Sequence, residues 1–390
     1  MSSFAVTLER VTVRPHPNAD RLELARVGLF DAVVGKGSFQ TGDVAFYIPE
    51  QAILPDTLIS TLNLDGKLAG PQKNRIKAVK LRGALSQGIV ASLDILNVAP
   101  GEDHYPDVLN ALMDARHDVE TDYDFGPVLG IEKWEPEIPA HMSGQVESGA
   151  RMLSWVDIEN IKRFPDIFSE GESVWVTEKI HGTCLLATVA LVKENDAYAI
   201  QGVTVSSKGL AEKHLALTET ENNLYWRAVN GYPVRELALE IAAHFADFNA
   251  EGVGVESVGI YGEVYGSGIQ DLSYGTKGNT GKPGFSVFDA RVKLTNGTDF
   301  WVDSGIVHGE GVLTTDIPKV PTLFVGPYNI EEITKIASGK EQVSGTEANL
   351  REGVVIRPVE EGHSEAVNGR KIAKFVTEEY LTRKDGTEYQ

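Results

Sequence analysis

Apolar and polar positions alternate in short bursts along the first 100 residues. FAVTLERVTV and LELARVGLF each read as strand, and the loop RPHPNAD separates them. The turn TGD, the run VAFYIP, the basic stretch KNRIKAVKLRG and the run GIVASLDIL follow. A period of two means a strand with one buried face, and Gly, Pro, Asn and Asp mark the turns between strands. About five or six short strands in about 100 residues predict a small antiparallel barrel of the OB type. The pattern then changes. GEDHYPDVLNALMDARHD is acidic and partly helical, and EPEIPAHMSGQVESG is loop-like, so residues 101–150 are expected to be a connector.

A second domain is expected over residues 151–390. VWVTEKI reads as a strand, and TCLLATVALV and AYAIQGVTV read as a hairpin over the tip KEND. In VRELALEIAAHFADF, Val234, Leu237, Ile241, Phe245 and Phe248 recur every three to four residues, which predicts an amphipathic helix. SVGIYGEVYG, GFSVFDARV and GVVIRPV are further strands. Strands outnumber helices, so the predicted class is α+β: an OB-like barrel, then a domain of antiparallel sheets flanked by helices. There are no internal repeats and no low-complexity tracts.

Composition adds limits. The chain has 390 residues, 42% of them hydrophobic, enough for two cores. No apolar run approaches the 18 or so residues of a membrane helix, and the start MSSFAVTLERVTV lacks the basic-then-apolar pattern of a secretory signal. Cys184 is the only cysteine, so no internal disulfide can form and a reducing, cytoplasmic setting is expected. The net charge of −20 argues against a protein that coats nucleic acid. Residues 1–100, however, carry 11 basic and 9 acidic side chains, so the acidity lies almost wholly in the remainder. A local basic groove can still meet phosphate, with steep salt dependence.

The chemistry concentrates in Glu178-Lys179-Ile180-His181-Gly182-Thr183. A lysine nucleophile needs a strand-end position, a glycine that lets phosphate approach, and neighbours that favour the free amine. Lys-x-[Asp/His]-Gly is a weak pattern on its own; a surface lysine before a turn would explain it equally well. The glycine-rich stretch YGEVYGSG lacks the Gly-Lys-Ser/Thr ending of a P-loop and has no βαβ unit around it.

Further segments in order give the pattern weight. With EKIHGT come SSKG (Ser206, Ser207, Lys208, Gly209), Gly262-Glu263 in YGEVYG, Phe288-Asp289 in FSVFDAR, Glu352-Gly353 in REGVVIRP, and Lys371 and Lys374 in RKIAKFV. In this series the chain resembles the covalent nucleotidyltransferase superfamily of DNA ligases, RNA ligases and mRNA-capping enzymes. Histidine at 181 is the version found in nick-sealing RNA ligases. Lys208 stands where the family usually has arginine. Two residues separate Lys371 from Lys374 where the family usually has one, which favours Lys374. About 16 residues follow Lys374, too few for a C-terminal OB domain. The N-terminal position of the OB-like segment resembles the Deinococcus-type RNA ligases.

The resemblance implies residue roles. Lys179 would attack the α-phosphorus of ATP and carry AMP. Glu352 would hold a divalent metal, Mg2+ or Mn2+, on the α-phosphate. Lys374, with Lys371 beside it, would neutralise that phosphate. Glu263 would accept hydrogen bonds from the ribose, Phe288 would stack on adenine, and Glu178 would read the adenine amine. His181, Gly182 and Lys208 would complete the nucleotide site. The implied activity is ATP-dependent sealing of 3′-hydroxyl to 5′-phosphate ends at nicks in RNA or RNA-containing duplexes, with no membrane and no protein partner. A DNA ligase or RNA guanylyltransferase of the same superfamily, and a non-catalytic OB-type RNA-binding protein, remain as alternatives.

The N-terminal segment supplies the expected nucleic-acid contact. On a strand through KNRIKAVKLR, Lys73, Arg75 and Lys77 would share one face, with Lys80 and Arg82 at the opposite parity. A solvated edge strand protected by lysines would look the same.

Overall fold

A computed structural model describes residues 4–98, 123–134, 145–195, 197–246, 252–276 and 281–383. It divides into two compact units. One comprises Ser2–Glu135 with Lys162–Pro165, the other Pro136–Ile161 and Asp166–Gln390. Most of the expected connector, 101–122 and 135–144, lies outside the described residues.

Among the described residues the first unit has ten short strands: β1 (Thr7–Arg10), β2 (Thr12–Pro15), β3 (Leu22–Val27), β4 (Phe30–Gly35), β5 (Val44–Ile48), β6 (Ala52–Ile53), β7 (Val79–Leu81), β8 (Ala84–Ser86), β9 (Ile89–Ala91) and β10 (Glu132–Lys133). They form sheets β1-β5-β9 and β2-β3-β4 and the pairs β6–β10 and β7–β8. The expected single barrel is therefore corrected: among the described residues no sheet closes on itself. The reason is local. The one strand expected in FAVTLERVTV breaks at the buried Val11, whose N–H bonds to Asp43 O, and β1 and β2 join different sheets. β5 serves two cores at once. Phe46 and Ile48 pack with Val6, Leu8 and Leu58, while Ala45 and Tyr47 pack with Val27, Phe30 and Val90. Burial on both faces explains why VAFYIP is a continuous apolar run rather than an alternating one.

The basic stretch does not form the expected strand. Lys73 sits in a turn at φ 55°, Arg75 makes only isolated bridges to Ile53 and Ala69, and the strand begins at Val79. Ile76 is buried among the apolar residues of this unit, and the Arg75 guanidinium lies 4.2 Å from the Trp134 ring centre. Engagement of the adjacent residues Arg75 and Ile76, together with the turn at Lys73, breaks the period-two face. Lys73, Lys77, Lys80 and Arg82 are exposed, but they share no common strand face.

Among the described residues the second unit holds two five-stranded sheets. Its strands are β11 (Val146–Ser148), β12 (Glu159–Asn160), β13 (Ser173–Lys179), β14 (Thr183–Glu194), β15 (Ala197–Ser207), β16 (Leu215–Leu217), β17 (Val255–Tyr265), β18 (Gly284–Leu294), β19 (Asp299–Trp301), β20 (Thr322–Pro327), β21 (Gly353–Pro358), β22 (His363–Ser364), β23 (Gly369–Arg370) and β24 (Ala373–Val376). One sheet runs β15-β14-β17-β18-β19 and the other β12-β24-β21-β13-β20. All pairings within them are antiparallel except β12–β24. The β14–β15 hairpin turns where predicted, with Asn195 at φ 57°, a conformation asparagine tolerates.

Helix Val234–Ala246 packs on the first sheet through Val234, Leu237, Ala238, Ile241 and Ala242. Burying each branched side chain contributes about 1.5–3 kcal/mol. Phe245 packs at the margin, and Phe248 lies outside the described residues. The helix before it, Leu224–Gly231, starts where Asn223 accepts hydrogen bonds from the N–H groups of Tyr225 and Trp226. No helix among the described residues is long and apolar enough to cross a membrane.

Candidate active site

β13 carries Lys179 to its last position. Val174 and Val176 are buried, and Glu178 is buried beside them at the strand's end. The register sets Lys179 opposite Gly353, so Glu352, one residue before β21, lies against the lysine. Lys179 Nζ is 2.6 Å from Glu352 Oε1. The Glu352 side chain is 1% exposed and that of Lys179 is 23% exposed. A Cβ at Gly353 would collide with Phe375 O, so the close pairing of β21 with β24 requires glycine there.

The turn Ile180–Gly182 leads from β13 into β14. A Cβ at Gly182 would strike Val264 O and the Glu263 side chain. Glycine at 182 is thus what lets Glu263, on the neighbouring strand β17, approach the turn. Glu263 Oε2 accepts from Cys184 Sγ at 3.2 Å. Burial pushes the Glu263 carboxyl up to about 7, although Lys179 opposes the shift.

Three lysines meet here. Burial drives Lys179 toward the free amine, but the Glu352 and Glu263 carboxylates outweigh it and hold the ammonium above its ordinary value. The protein side chains around Lys179 thus favour the cation, not the free amine that a nucleophile needs. Lys374, on β24, is pushed down to about 8 by burial and then by the charges of Lys208 and Lys179. Lys208 pairs with Asp157; burial lowers it, and Asp157 more than restores it.

Lys371 does not join this group. Its ammonium is 2.8 Å from Glu172 Oε2. The two-residue spacing that separates it from Lys374 has this structural outcome.

Glu178 faces a different neighbourhood. Its Oε2 accepts from the Gln342 N–H at 2.8 Å, while its buried Oε1 has no hydrogen-bond partner among the described residues. Burial pushes this carboxyl up to about 7. Arg351 Nε stands 3.5 Å from Glu178 Oε2. Arg351 also donates to the carbonyls of Ile336, Ser338 and Lys340, so it closes the C-terminal end of helix Ile330–Ala337. Phe288 is half-buried on β18. It packs in the cluster of Ile180, Tyr265, Tyr274 and Val320, next to the lysine turn.

His181 has partners at both ring nitrogens: Tyr380 Oη is 2.7 Å from Nδ1, and Asp271 is on Nε2. Burial lowers its pKa despite Glu352 and Asp271. Asp271, Tyr380, Asp157, Arg351 and Arg383 were not singled out from sequence. Of these only Tyr380 had a local signal: Thr-Glu-Glu before it is a helix start, and Thr377 accepts from the Tyr380 N–H. Lys73, Arg75, Lys77, Lys80 and Arg82 belong to the other unit.

Among the described residues, no group of three or more His, Cys, Asp and Glu could hold a metal ion by itself. Glu352 and Glu263 both act on Lys179. A hard divalent cation of the magnesium type commonly takes one or two carboxylates and completes its shell with substrate phosphate. The donor set fits a cation shared with a nucleotide.

Comparison with known proteins gives the fold and the family. No curated protein sequence matches the chain. Structures of Naegleria gruberi RNA ligase with pyrophosphate, of a lysine variant with ATP and manganese, and of another lysine variant with AMP and manganese share the fold. Each has a TM-score of 0.66 at 20% identity and covers 97% of this chain and 98% of that one. An OB-fold domain model matches residues 5–93, the segment expected from strand spacing to be OB-like. The RNA ligase family model matches residues 172–376, from the start of β13 to the end of β24, and the chain therefore belongs to the RNA ligase family.

Proposed function

We propose that this RNA ligase uses ATP to charge Lys179 with AMP, passes the AMP to a 5′-phosphate, and joins that end to a 3′-hydroxyl at a nick in an RNA-containing duplex. The observation that carries the reading is a buried Glu352 carboxylate 2.6 Å from the amine of Lys179 at a strand end. Lys374 and Glu263 act on the same amine.

In the first step the Lys179 ammonium gives its proton to solvent, and Nζ attacks the α-phosphorus. The new N–P bond forms as the bond to the pyrophosphate oxygen breaks. The Lys179–Glu352 pair must open for this, because an ammonium has no lone pair to donate. Glu352, with Glu263 near it, would hold the divalent cation. When bound, that cation supplies charge neutralisation at the α-phosphate and relieves the pull that keeps Lys179 protonated. Lys374, buried and mostly charged at neutral pH, is set to stabilise negative charge developing on the same phosphate. Glu178 Oε1, buried with no hydrogen-bond partner among the described residues, suits an adenine amine, and Phe288 suits its ring. RNA is the expected partner, and the exposed Lys80 and Arg82 near the β7–β8 turn are candidate phosphate contacts.

The test is incubation of nucleotide-free protein with α-labelled ATP and magnesium or manganese, followed by denaturing electrophoresis. Wild type is expected to retain label and Lys179→Ala to retain none. Label retained by Lys179→Ala would remove Lys179 from the reading; label from GTP and not ATP would redirect it to capping chemistry.

A further inference from the structure

The stretch Gly266-Ser-Gly-Ile-Gln-Asp-Leu-Ser-Tyr-Gly-Thr276 is glycine-rich but has no phosphate-loop ending, and the proposed chemistry leaves it without a task. In the fold it lies along the turn that follows Lys179. Gln270 Nε2 donates to Gly182 O at 3.0 Å. The N–H of His181 donates to Tyr274 Oη at 2.8 Å. Asp271 bonds to His181 Nε2. All three residues of the turn are engaged, because Ile180 is buried in one cluster with Tyr274.

A second element closes the other side. The short helix Glu378–Leu381 begins directly after β24 and places Tyr380 Oη 2.7 Å from His181 Nδ1. Arg383, just beyond it, donates to both oxygens of Asp271, at 3.0 and 3.1 Å. The Arg383 guanidinium lies 3.7 Å from the centre of the Tyr380 ring. His181, Asp271, Arg383 and Tyr380 thus form a closed ring of contacts. A carboxylate only accepts, so in a neutral imidazole Nε2 carries the hydrogen and Nδ1 accepts from the tyrosine. With both nitrogens occupied by protein, the ring has no donor left for a nucleotide in this arrangement.

We propose that the Gly266–Thr276 loop and the Glu378–Leu381 helix form a two-sided brace on the Ile180–Gly182 turn, and that Asp271, Tyr380 and Arg383 are positioning residues that aim Lys179 at the α-phosphorus. The inference rests on the lysyl-AMP reading. It assigns His181 to the brace rather than to the nucleotide. Misplacement of a nucleophile by about 1 Å can cost on the order of 100-fold in rate without weakening binding of the substrate, because attack needs near-contact geometry.

The experiment is single-turnover formation of the protein–AMP adduct at varied ATP, on full-length wild type, Asp271→Asn, Tyr380→Phe, Arg383→Ala and Arg383→Lys, each checked for cooperative melting. The expected result is a maximum rate lowered about 10- to 100-fold in Asp271→Asn and Arg383→Ala. The ATP concentration for half-maximal rate should change less than about threefold, and Arg383→Lys should recover part of the rate. Tyr380→Phe loses one hydroxyl and keeps the ring, so it tests the brace even where a charge variant fails to fold. Variants that match wild type would overturn the brace. So would variants with an unchanged maximum rate and a raised ATP requirement, which would return His181 to nucleotide binding. A wild-type protein that forms no adduct would instead sink the lysyl-AMP reading beneath it.

Discussion

The ligase unit buries two clusters of charge, and they are built on opposite principles. Around Asp289 the described charges pair with their opposites, although Arg357 Nε makes no hydrogen bond among the described residues. Arg370 donates to Asp289 at 2.6 and 3.2 Å and also to Glu361, and Arg357 stands 3.5 Å from Asp289. Burial pushes the Asp289 carboxyl up, but Arg370 and Arg357 more than reverse it and hold it below its ordinary range. Around Lys179 the charges are mismatched. Glu263 is pushed up to about 7 and Lys374 down to about 8, so both can change protonation near neutral pH. A satisfied cluster holds a fold together, whereas a frustrated one can exchange protons and receive a charged substrate.

Substitutions can break this contrast, and the largest effect is expected in the satisfied cluster. Asp289→Ala leaves two buried guanidiniums short of their shared acceptor and should cost about 3–5 kcal/mol of stability in denaturant titration. The native contribution of Asp289 is present above its unfolded pKa and disappears as pH falls through the depressed native value. The stability gap between wild type and Asp289→Ala should therefore close in acid. A gap that stayed constant down to strongly acid pH would show that packing, not charge, accounts for it.

Lys374→Met should lower adduct formation by about 100-fold, near 2.7 kcal/mol, with little loss of stability, because it removes a strained charge. Lys374→Arg sharpens the point, since arginine stays charged at all relevant pH. As pH rises through about 8, wild-type Lys374 loses its proton, so the rate ratio of wild type to Lys374→Arg should fall. A ratio flat from pH 7 to 9.5 would mean that the Lys374 charge is not used. The smallest effect is expected at Lys371, whose partner is Glu172 and whose side chain is about one-fifth exposed. Lys371→Ala should change stability by about 0–1 kcal/mol and adduct formation by less than about threefold. A large rate loss there would place Lys371 in the chemistry after all.

Local pattern alone determined much of this protein. The strand ending at Lys179, the hairpin that turns at Asn195, and the helix through Val234, Leu237 and Ile241 are written as alternation, a turn residue and a three-to-four spacing. These signals are legible because each depends on neighbours within a few residues. The order of EKIHGT, YGEVYG, REGVVIRP and IAKFV was legible too, and all four segments lie within the family match.

Tertiary structure decided what depends on residues far apart. KNRIKAVKLR has the composition of a basic strand, yet Ile76 turns into the core and Arg75 stacks on Trp134, 59 positions away by number, so no basic face forms. Lys371 and Lys374 look alike in sequence; register sets Lys374 beside Val355, while Lys371 finds Glu172. Asp271 and Arg383 carry no motif, and only the close approach of a loop and a terminal helix puts them on His181. Charge interactions act through space and strengthen where water is excluded, so the protonation of Lys179 could not be read before its carboxylates were placed around it.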